Sequence, residues 1–520
     1  MDGRGSGTTG GIGGWATRRA LLSGDRIALI DGDSRITYAE FDRRTDHLAG
    51  ALRELGVQQG DRVAVLMVNS AAFLETLFAT AKLGAVFVPI NFRLAVPEVA
   101  FLLADSGANI FVWSGHLSSL ARAALAGEGV RVRARVVVGG EPADGEADFE
   151  QVLASGEPLA FGINVAGSDL CCLMYTSGTT GRPKGAMLTH DNHLWNAINT
   201  LTGHRLRETD RTVTALPMFH MGAWAHALPM LYVGGTNALL PAFDPEQTLA
   251  TMARERVTIQ LLVPAMWAAL MAVPDFETYD LSALELAITG GAPCPLPVLE
   301  YFQGKGVPFQ EGFGMTETGP SVALLDADHV KEKNGSIGRA LFHVETRIVD
   351  ENDSDVPTDQ VGELVVRGRN VFAGYWGLPE TTAEAFRGGW FHTGDMGRVD
   401  AEGFITLVDR KKDMIITGGE NVYPVEVEQV LYRHPAVREV AVVGVPHSKW
   451  GETPIAVVAL KDGEQATGDD LISYARERLA HFKCPSRVEY VPELPRNATG
   501  KVLKTTLRKE YGGRETAVQR

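Results

Sequence analysis

Four cysteines in 520 residues, with no Cys-x-x-Cys pair among them, exclude a disulfide-stapled scaffold and the common zinc spacings. Cys171 and Cys172 stand side by side in an apolar run, and with Cys294 and Cys484 they read as buried, reduced thiols of a cytoplasmic protein. Basic charge is also in short supply. The 49 Lys and Arg against 64 Asp and Glu leave a net charge of −15, so the overall field repels nucleic acid and anionic lipid, and an anionic ligand must be captured by a local site. No uninterrupted apolar stretch reaches membrane-spanning length, and the glycine-rich residues 1–14 lack a positive-then-apolar signal pattern. We therefore expect a soluble chain with a frayed start. Internal repeats and long low-complexity segments are missing too.

What remains is ordinary globular composition, 45% hydrophobic and 22% charged, with a length that suggests about three or four domain-sized units. Thr37 and Glu40 form a capping box that opens a helix with Phe41, Leu48, Leu52 and Leu55 on one face and Gly56 at its end. Residues 62–67 then read as a buried strand, 72–83 as a helix and 85–89 as a strand, an alternation that predicts a parallel α/β sheet. The alternation returns near residues 169–174, 258–263 and 286–288. From about Gly335 short strands with tight turns take over, at 344–349, 362–367 and 404–408, which predicts a small β-barrel or twisted sheet. Beyond Asp413 lies a compact α+β unit, and the charged segment from Asp409 to Asp413 is the best candidate for a hinge. Arg131, Arg133 and Arg135 alternate along a strand whose basic face we read as solvated.

Directly after the apolar residues Leu170 to Met174 come Tyr175, Thr176, Ser177, Gly178, Thr179, Thr180, Gly181, Arg182, Pro183, Lys184 and Gly185. Glycine lets backbone N–H groups turn toward an anion, hydroxyls add donors and lysine adds a point charge, so this loop is built to hold polyphosphate. It is not a Walker A loop, because Arg182 and Pro183 separate Gly181 from Lys184.

Other segments are hard to explain by packing. Gly312, Phe313, Gly314, Met315, Thr316 and Glu317 set an aromatic ring suited to stacking on a purine between two glycines. Thr316 can bond a phosphate or carboxylate oxygen, and Glu317 can hold Mg²⁺. Asp395, in the turn from His392, is suited to accept bonds from ribose hydroxyls, and Arg410 can reach the same sugar or its phosphate. Gly290, Gly291, Ala292 and Pro293 form a close-approach loop after a strand, and Lys501 sits on a glycine-containing turn.

Together and in this order these segments resemble the adenylate-forming superfamily of acyl-CoA synthetases, luciferases and peptide-synthetase adenylation domains. Pro217 to His220 and Gly418 to Asn421 add to the likeness, which covers nearly the whole chain. Val422, Tyr423 and Pro424, with Lys449 to Glu452, look most like bacterial medium- and long-chain fatty-acyl-CoA synthetases. Phe313 departs from the pattern, since a tyrosine is common there. Stacking survives that change and a phenolic hydrogen bond does not.

The resemblance implies a multidomain α/β and α+β fold. A large N-terminal adenylating domain, 1–411, would contain two α/β subdomains (about 15–165 and 166–334) and a small β-barrel (about 335–408), and a small mobile α+β C-terminal domain would span 412–520. It further implies ATP, Mg²⁺ and coenzyme A, and a two-step ligase reaction through an acyl-adenylate. Mg²⁺ would lie near Glu317 and Thr176, Lys184 and the loop hydroxyls would hold the departing pyrophosphate, and Lys501 would stabilise the transition state. Rotation about Lys412 would then withdraw Lys501 and bring Gly418 and Gly419 to a pantetheine channel. A homodimer is a family expectation, and peripheral contact with a membrane is left open by the sequence.

In this family the helix after Phe219 lines the carboxylate substrate's site, with His220, Met221, Trp224, Gly290 and Gly314 as its pocket residues here. No Asp, Glu, Lys or Arg occurs between Pro217 and Ala242, so a second charge on the substrate would lack a partner. That disfavours amino acids and malonate and points to a medium- or long-chain fatty acid first and an aryl acid second. The same helix reads equally as core. His220 is a gate or a hydrogen-bonded core histidine, and Trp224 shortens the tunnel or flanks its mouth. Two rivals remain: an acyl-AMP ligase that loads a carrier protein, disfavoured by the lack of a long insertion after the hinge, and a non-catalytic lipid-binding relative.

Overall fold

The computed structural model describes residues 11–159, 164–176, 182–291, 294–411, 413–417, 420–447, 449–496 and 502–512. The chain divides into two compact units, one of residues 1–346 with 366–391 and the other of 347–365 with 392–520. The short-strand stretch from 335 to 408 is therefore shared between the units.

In the first unit the expected alternation is realised. The helix Tyr38–Glu54 starts where the Thr37 hydroxyl accepts the Glu40 N–H at 3.1 Å, and it is followed by Gly56 in the left-handed region at φ +87°. The helix Ala71–Lys82 is buried along its whole length, charged residues included. Its Lys82 ammonium lies 2.6 Å from both Asp42 and Asp46, and its Glu75 lies 2.6 Å from Arg44, so the charges that burial would penalise are paired.

A seven-stranded sheet runs in the order Ala147–Asp148, Ala134–Val138, Ile110–Ser114, Arg62–Leu66, Val86–Pro89, Leu170–Thr176, Lys184–Thr189. Parallel pairing holds up to Leu170–Thr176, and the last pair is an antiparallel hairpin whose second strand the apolar pattern does not mark. Ile27–Asp31 and Ser34–Thr37 instead join Thr236–Leu239 and Arg211–Thr214 in a four-stranded sheet. A cut at residue 165 thus does not separate the sheets. The third sheet, Ile259–Leu261, Leu286–Gly290, Phe309–Gly314, Ser321–Leu325 and Arg339–Ala340, is parallel through Phe309–Gly314 and antiparallel beyond it.

In the second unit the strand pair Val437–His447 and Gly451–Leu460 anchors a sheet with Ile415–Thr417, Glu420–Val422 and Val488–Tyr490. The helices Pro424–Tyr432, Gly468–Arg476 and Lys504–Tyr511 complete the α+β unit expected beyond Asp413. All four cysteines are buried and free. Among the described residues no helix is long and apolar enough to cross a membrane.

One buried amide fixes the approach to the helix Met221–Val233. The Asn69 side chain donates to the Leu216 and Thr214 carbonyls at 2.9 and 3.3 Å and accepts the Met218 N–H at 2.7 Å. It ties the turn after Arg62–Leu66 to residues 214–218. Asn69→Ala should strand those groups at a cost of about 2–4 kcal/mol, lowering the thermal unfolding midpoint by on the order of 5 °C. Scanning calorimetry checks this, and Asn69→Asp, which keeps the acceptor, should fall between.

Candidate active site

The polyphosphate loop closes the hairpin of Leu170–Thr176 and Lys184–Thr189, so Thr176 stands opposite Lys184 and Tyr175 opposite Gly185. Ser177 to Gly181 lie outside the described residues, as do Ala292, Pro293, Lys412, Gly418, Gly419 and Lys501. The loop's two ends are nevertheless placed, and a second segment is laid along its outgoing strand. Met187 N–H bonds the Gly374 carbonyl and Ala373 N–H the Met187 carbonyl, both at 2.9 Å, and Trp376 N–H bonds the Gly185 carbonyl at 2.8 Å. Gly374 has φ +130°, and a Cβ there would lie 2.4 Å from a methyl carbon of Thr382, so only glycine permits this path.

That edge pairing brings Tyr375 to Lys184. The lysine Nζ lies 5.2 Å from the tyrosine ring centroid, a cation–π contact. The phenolic hydroxyl donates to Glu317 Oε1 at 3.1 Å. Glu317 sits in the buried turn Thr316–Thr318, and its carbonyl accepts the Phe372 N–H at 2.9 Å. Lys184, Tyr375 and Glu317 are thus one connected group. Sequence reading singled out the lysine and the carboxylate and missed the tyrosine between them; Gly374 and Gly377 around an aromatic pair were the available signal. Asp105 steadies the same corner, accepting the Tyr175 hydroxyl at 2.6 Å and, at its carbonyl, the Trp376 indole N–H at 3.1 Å.

Gly290 and Gly312 are partners in parallel strands, and a Cβ on Gly290 would approach the Gly312 carbonyl oxygen to 2.8 Å. Gly314 is tighter still, with its missing Cβ only 1.9 Å from the Pro320 carbonyl oxygen. The strand carrying Phe313 therefore presents bare backbone on either side of the ring. Met315 N–H bonds the Thr318 hydroxyl at 3.0 Å, and the Asn370 amide holds the Thr318 and Ser321 carbonyls at 2.7 and 2.9 Å, which fixes the turn that carries Thr316 and Glu317. Burial pushes the neighbouring Glu311 carboxyl up to about 7, against the opposing bond from the Cys294 N–H.

On the expected acyl helix, His220 occupies the N-cap position and packs against Phe219, which meets Phe92 edge to face. Burial, then the charge of Arg93, pushes the His220 imidazole down to about 4, so it is neutral at pH 7. Met221 and Trp224 are buried in the large core. The Trp224 indole N–H donates to the Met218 carbonyl at 2.7 Å, and the ring packs against Phe87 and His193. His226, one turn of helix from Gly222, was not singled out by sequence reading, although it is a polar residue in an apolar helix.

In the second unit Asp395 and Arg410 face each other across antiparallel strands, with Arg410 Nε 2.8 Å from Asp395 Oδ1. Asp395 N–H bonds the Thr393 hydroxyl at 3.0 Å, which in turn donates to the Leu364 carbonyl at 2.7 Å. Glu363, missed by sequence reading, organises this turn: it accepts the Gly394 N–H at 3.2 Å and lies 3.2 and 3.1 Å from His392 and Lys411. Burial alone would raise its carboxyl, and bonds to His392 and Lys411 hold it below the usual range instead. Asp409 accepts the Arg410 and Val425 N–H groups at 2.7 and 3.1 Å, holding the start of the helix Pro424–Tyr432.

Among the described residues no cluster of three or more His, Cys, Asp or Glu side chains could hold a metal unaided. Glu317 offers one hard carboxylate donor, which suits an ion that takes most of its ligands from phosphate and water.

The model of the AMP-binding enzyme family matches residues 16–376, and that of the AMP-binding enzyme C-terminal domain matches residues 426–501. The chain is 46% identical over 503 residues to a feruloyl-CoA synthase of Amycolatopsis sp, covering 96% of this chain and 99% of that protein. It is 38% identical over 504 residues to the long-chain-fatty-acid–CoA ligase FadD13 of Mycobacterium tuberculosis, covering 96% and 98%. The crystal structure of the anthranilate CoA ligase AuaEII in complex with anthranoyl-AMP superposes with a TM-score of 0.89 at 29% identity, covering 97% of both chains.

Tyr375→Phe keeps the ring beside Lys184 and removes the bond to Glu317. It should slow ATP-dependent pyrophosphate release roughly tenfold, the size of one hydrogen bond to a charged group, with little change in thermal midpoint. Unchanged release would show that Tyr375 does not set the position of Glu317.

Proposed function

The chain belongs to the AMP-binding enzyme family, as an ATP-dependent ligase that joins an acid to coenzyme A with formation of AMP, and from that premise we propose that its acid is an aromatic monocarboxylate. The observation that carries this reading is the helix Met221–Val233 with its approach and exit, which holds no charged residue between Pro217 and Ala242 and whose His220 and His226 are kept neutral by burial. A substrate bearing a second charge would be left unpaired there. The likeness to feruloyl-CoA synthase favours an arene over an alkyl chain. A fatty acid is the second reading, favoured by the likeness to FadD13.

A carboxylate oxygen attacks the α-phosphorus of ATP, the bond to the β-phosphate breaks, and pyrophosphate leaves. The CoA sulfur then attacks the acyl carbonyl and AMP departs. Lys184, steadied by Tyr375, binds the pyrophosphate end together with the loop hydroxyls of Ser177, Thr179 and Thr180. Glu317, with Thr176, would hold Mg²⁺, which when bound supplies positive charge between the phosphate oxygens. Phe313 stacks on the adenine over the backbone of Gly291, Gly312 and Gly314, and Asp395, oriented by Arg410, accepts the ribose hydroxyls. Lys501 offsets the charge that builds on the α-phosphate in the first step. Movement about Lys412 then exchanges it for Gly418 and Gly419, whose missing side chains leave room for pantetheine.

The test is pyrophosphate release by the purified protein with ATP, Mg²⁺ and a panel of ferulate, cinnamate, octanoate and palmitate, followed by addition of CoA. We expect the aromatic acids to lead by at least about tenfold and CoA to convert the adenylate to thioester. An alkyl acid in first place would overturn the substrate class, and an adenylate that persists with CoA present would overturn the second step. Separately, Lys501→Ala should abolish most adenylation yet spare thioester formation from supplied acyl-AMP. Equal loss of both half-reactions would argue against the exchange of Lys501 for Gly418 and Gly419.

A further inference from the structure

The helix Met221–Val233 packs on one face of the third sheet, where Met230 and Val233 meet Ile259, Leu261 and Ile288. Leu261, Ile288 and Gln310 are in register on that face, and the next position along it is Gly290 beside Gly312. One such same-face step is about 7 Å, comparable with the span from the α-carbon of a cinnamoyl group to its para oxygen. An acyl group laid over the two glycines would on that spacing bring its far end to the Gln310 level.

That level is polar but uncharged. His204 lies 2.7 Å from Gln310 Oε1 through Nδ1, and its ring lies 5.2 Å from that of His226. Both ring nitrogens of His226 are buried without a hydrogen-bond partner in the protein, an unfavourable arrangement unless a ligand or water supplies the bonds. Beside His226 is a cavity of about 10 Å³, lined also by Thr212, Thr214, Leu216, Ala223 and Leu261, roughly the room that one water or hydroxyl oxygen needs. Burial pushes the His204 imidazole down to about 4 and that of His226 well below its ordinary value, so both are neutral. A neutral imidazole has one donor and one acceptor, which matches a hydroxyl and matches neither a methyl end nor a carboxylate.

We propose that His226, backed by the His204–Gln310 pair, is a specificity residue that hydrogen-bonds a hydroxyl at the far end of the acyl group, selecting phenolic acids from other arenes. This rests on the aromatic-acid reading above. An alkyl or unsubstituted phenyl end leaves His226 unsatisfied, and a para hydroxyl fills the cavity and makes the bond.

The experiment compares kcat/KM for 4-hydroxycinnamate, 4-fluorocinnamate and cinnamate in the wild-type protein, His226→Leu and His226→Asn. In the wild type the hydroxylated acid should lead cinnamate by at least about tenfold, with the fluoro acid no better than cinnamate because it cannot donate. His226→Leu should collapse the ratio toward one, and His226→Asn, which keeps a donor and an acceptor, should retain part of it. A wild-type ratio near one, or a ratio unchanged in His226→Leu, overturns the proposal and would mean that His226 binds only water. If His226→Leu does not fold, the wild-type ratio with the fluoro control decides alone. Turnover of all three cinnamates at equal rates defeats this inference while leaving the aromatic-acid reading standing, whereas no turnover of any arene defeats both.

Discussion

The first-unit site depends on one edge pairing, in which residues 373–376 lie along the outgoing strand of the phosphate-loop hairpin. Those backbone hydrogen bonds set Tyr375 between Lys184 and Glu317, which are 133 residues apart in the chain. A flexible lysine and a glutamate on a short turn have many rotamers each, and ordering them is an entropic cost that binding would otherwise carry. The tyrosine restricts both at once, through its ring face and its hydroxyl. Gly374 makes the pairing possible by adopting a backbone conformation that a side chain at that position would block.

Burial sets the charge state of the imidazoles on and beside the helix Met221–Val233. His204, His220 and His226 are all pushed well below their ordinary value, so a region with several ring nitrogens carries no positive charge at pH 7.

Much of this was legible in the sequence, and the limits have physical causes. Periodicity placed the strand at 344–349 to the residue, because its apolar spacing is bounded by turn residues. Local motifs singled out Lys184, Glu317, Asp395 and Arg410, and the structure joins the first two through Tyr375 and pairs the last two. The strand Lys184–Thr189 was not visible, as its pairing is with a hairpin partner and a distant edge rather than with a local apolar pattern. Tyr375, Glu363 and Asn69 were missed for a related reason: each acts by bonding groups far away in the sequence, and a polar residue in a short connecting segment looks the same whether or not it does so. Trp224 shows the converse. Its size in an apolar helix suggested a tunnel wall, and the helix periodicity could not tell a residue whose indole N–H closes on its own preceding loop from one facing a ligand.

The close approach of Gly290 to the Gly312 carbonyl makes the two walls of the proposed acyl slot unequal in how they can change. At Gly290 and Gly314 the sheet leaves no space for a Cβ, whereas Gly312 has only ordinary contacts around its missing one and Gln310 already carries a side chain on the same face. The helix wall is a run of ordinary side chains, of which Gly222 has open space around its missing Cβ. A change of acid would then be met by the helix side chains and at the Gln310 level, with the Gly290 and Gly314 positions serving as a fixed ruler against which acids of different shape are measured.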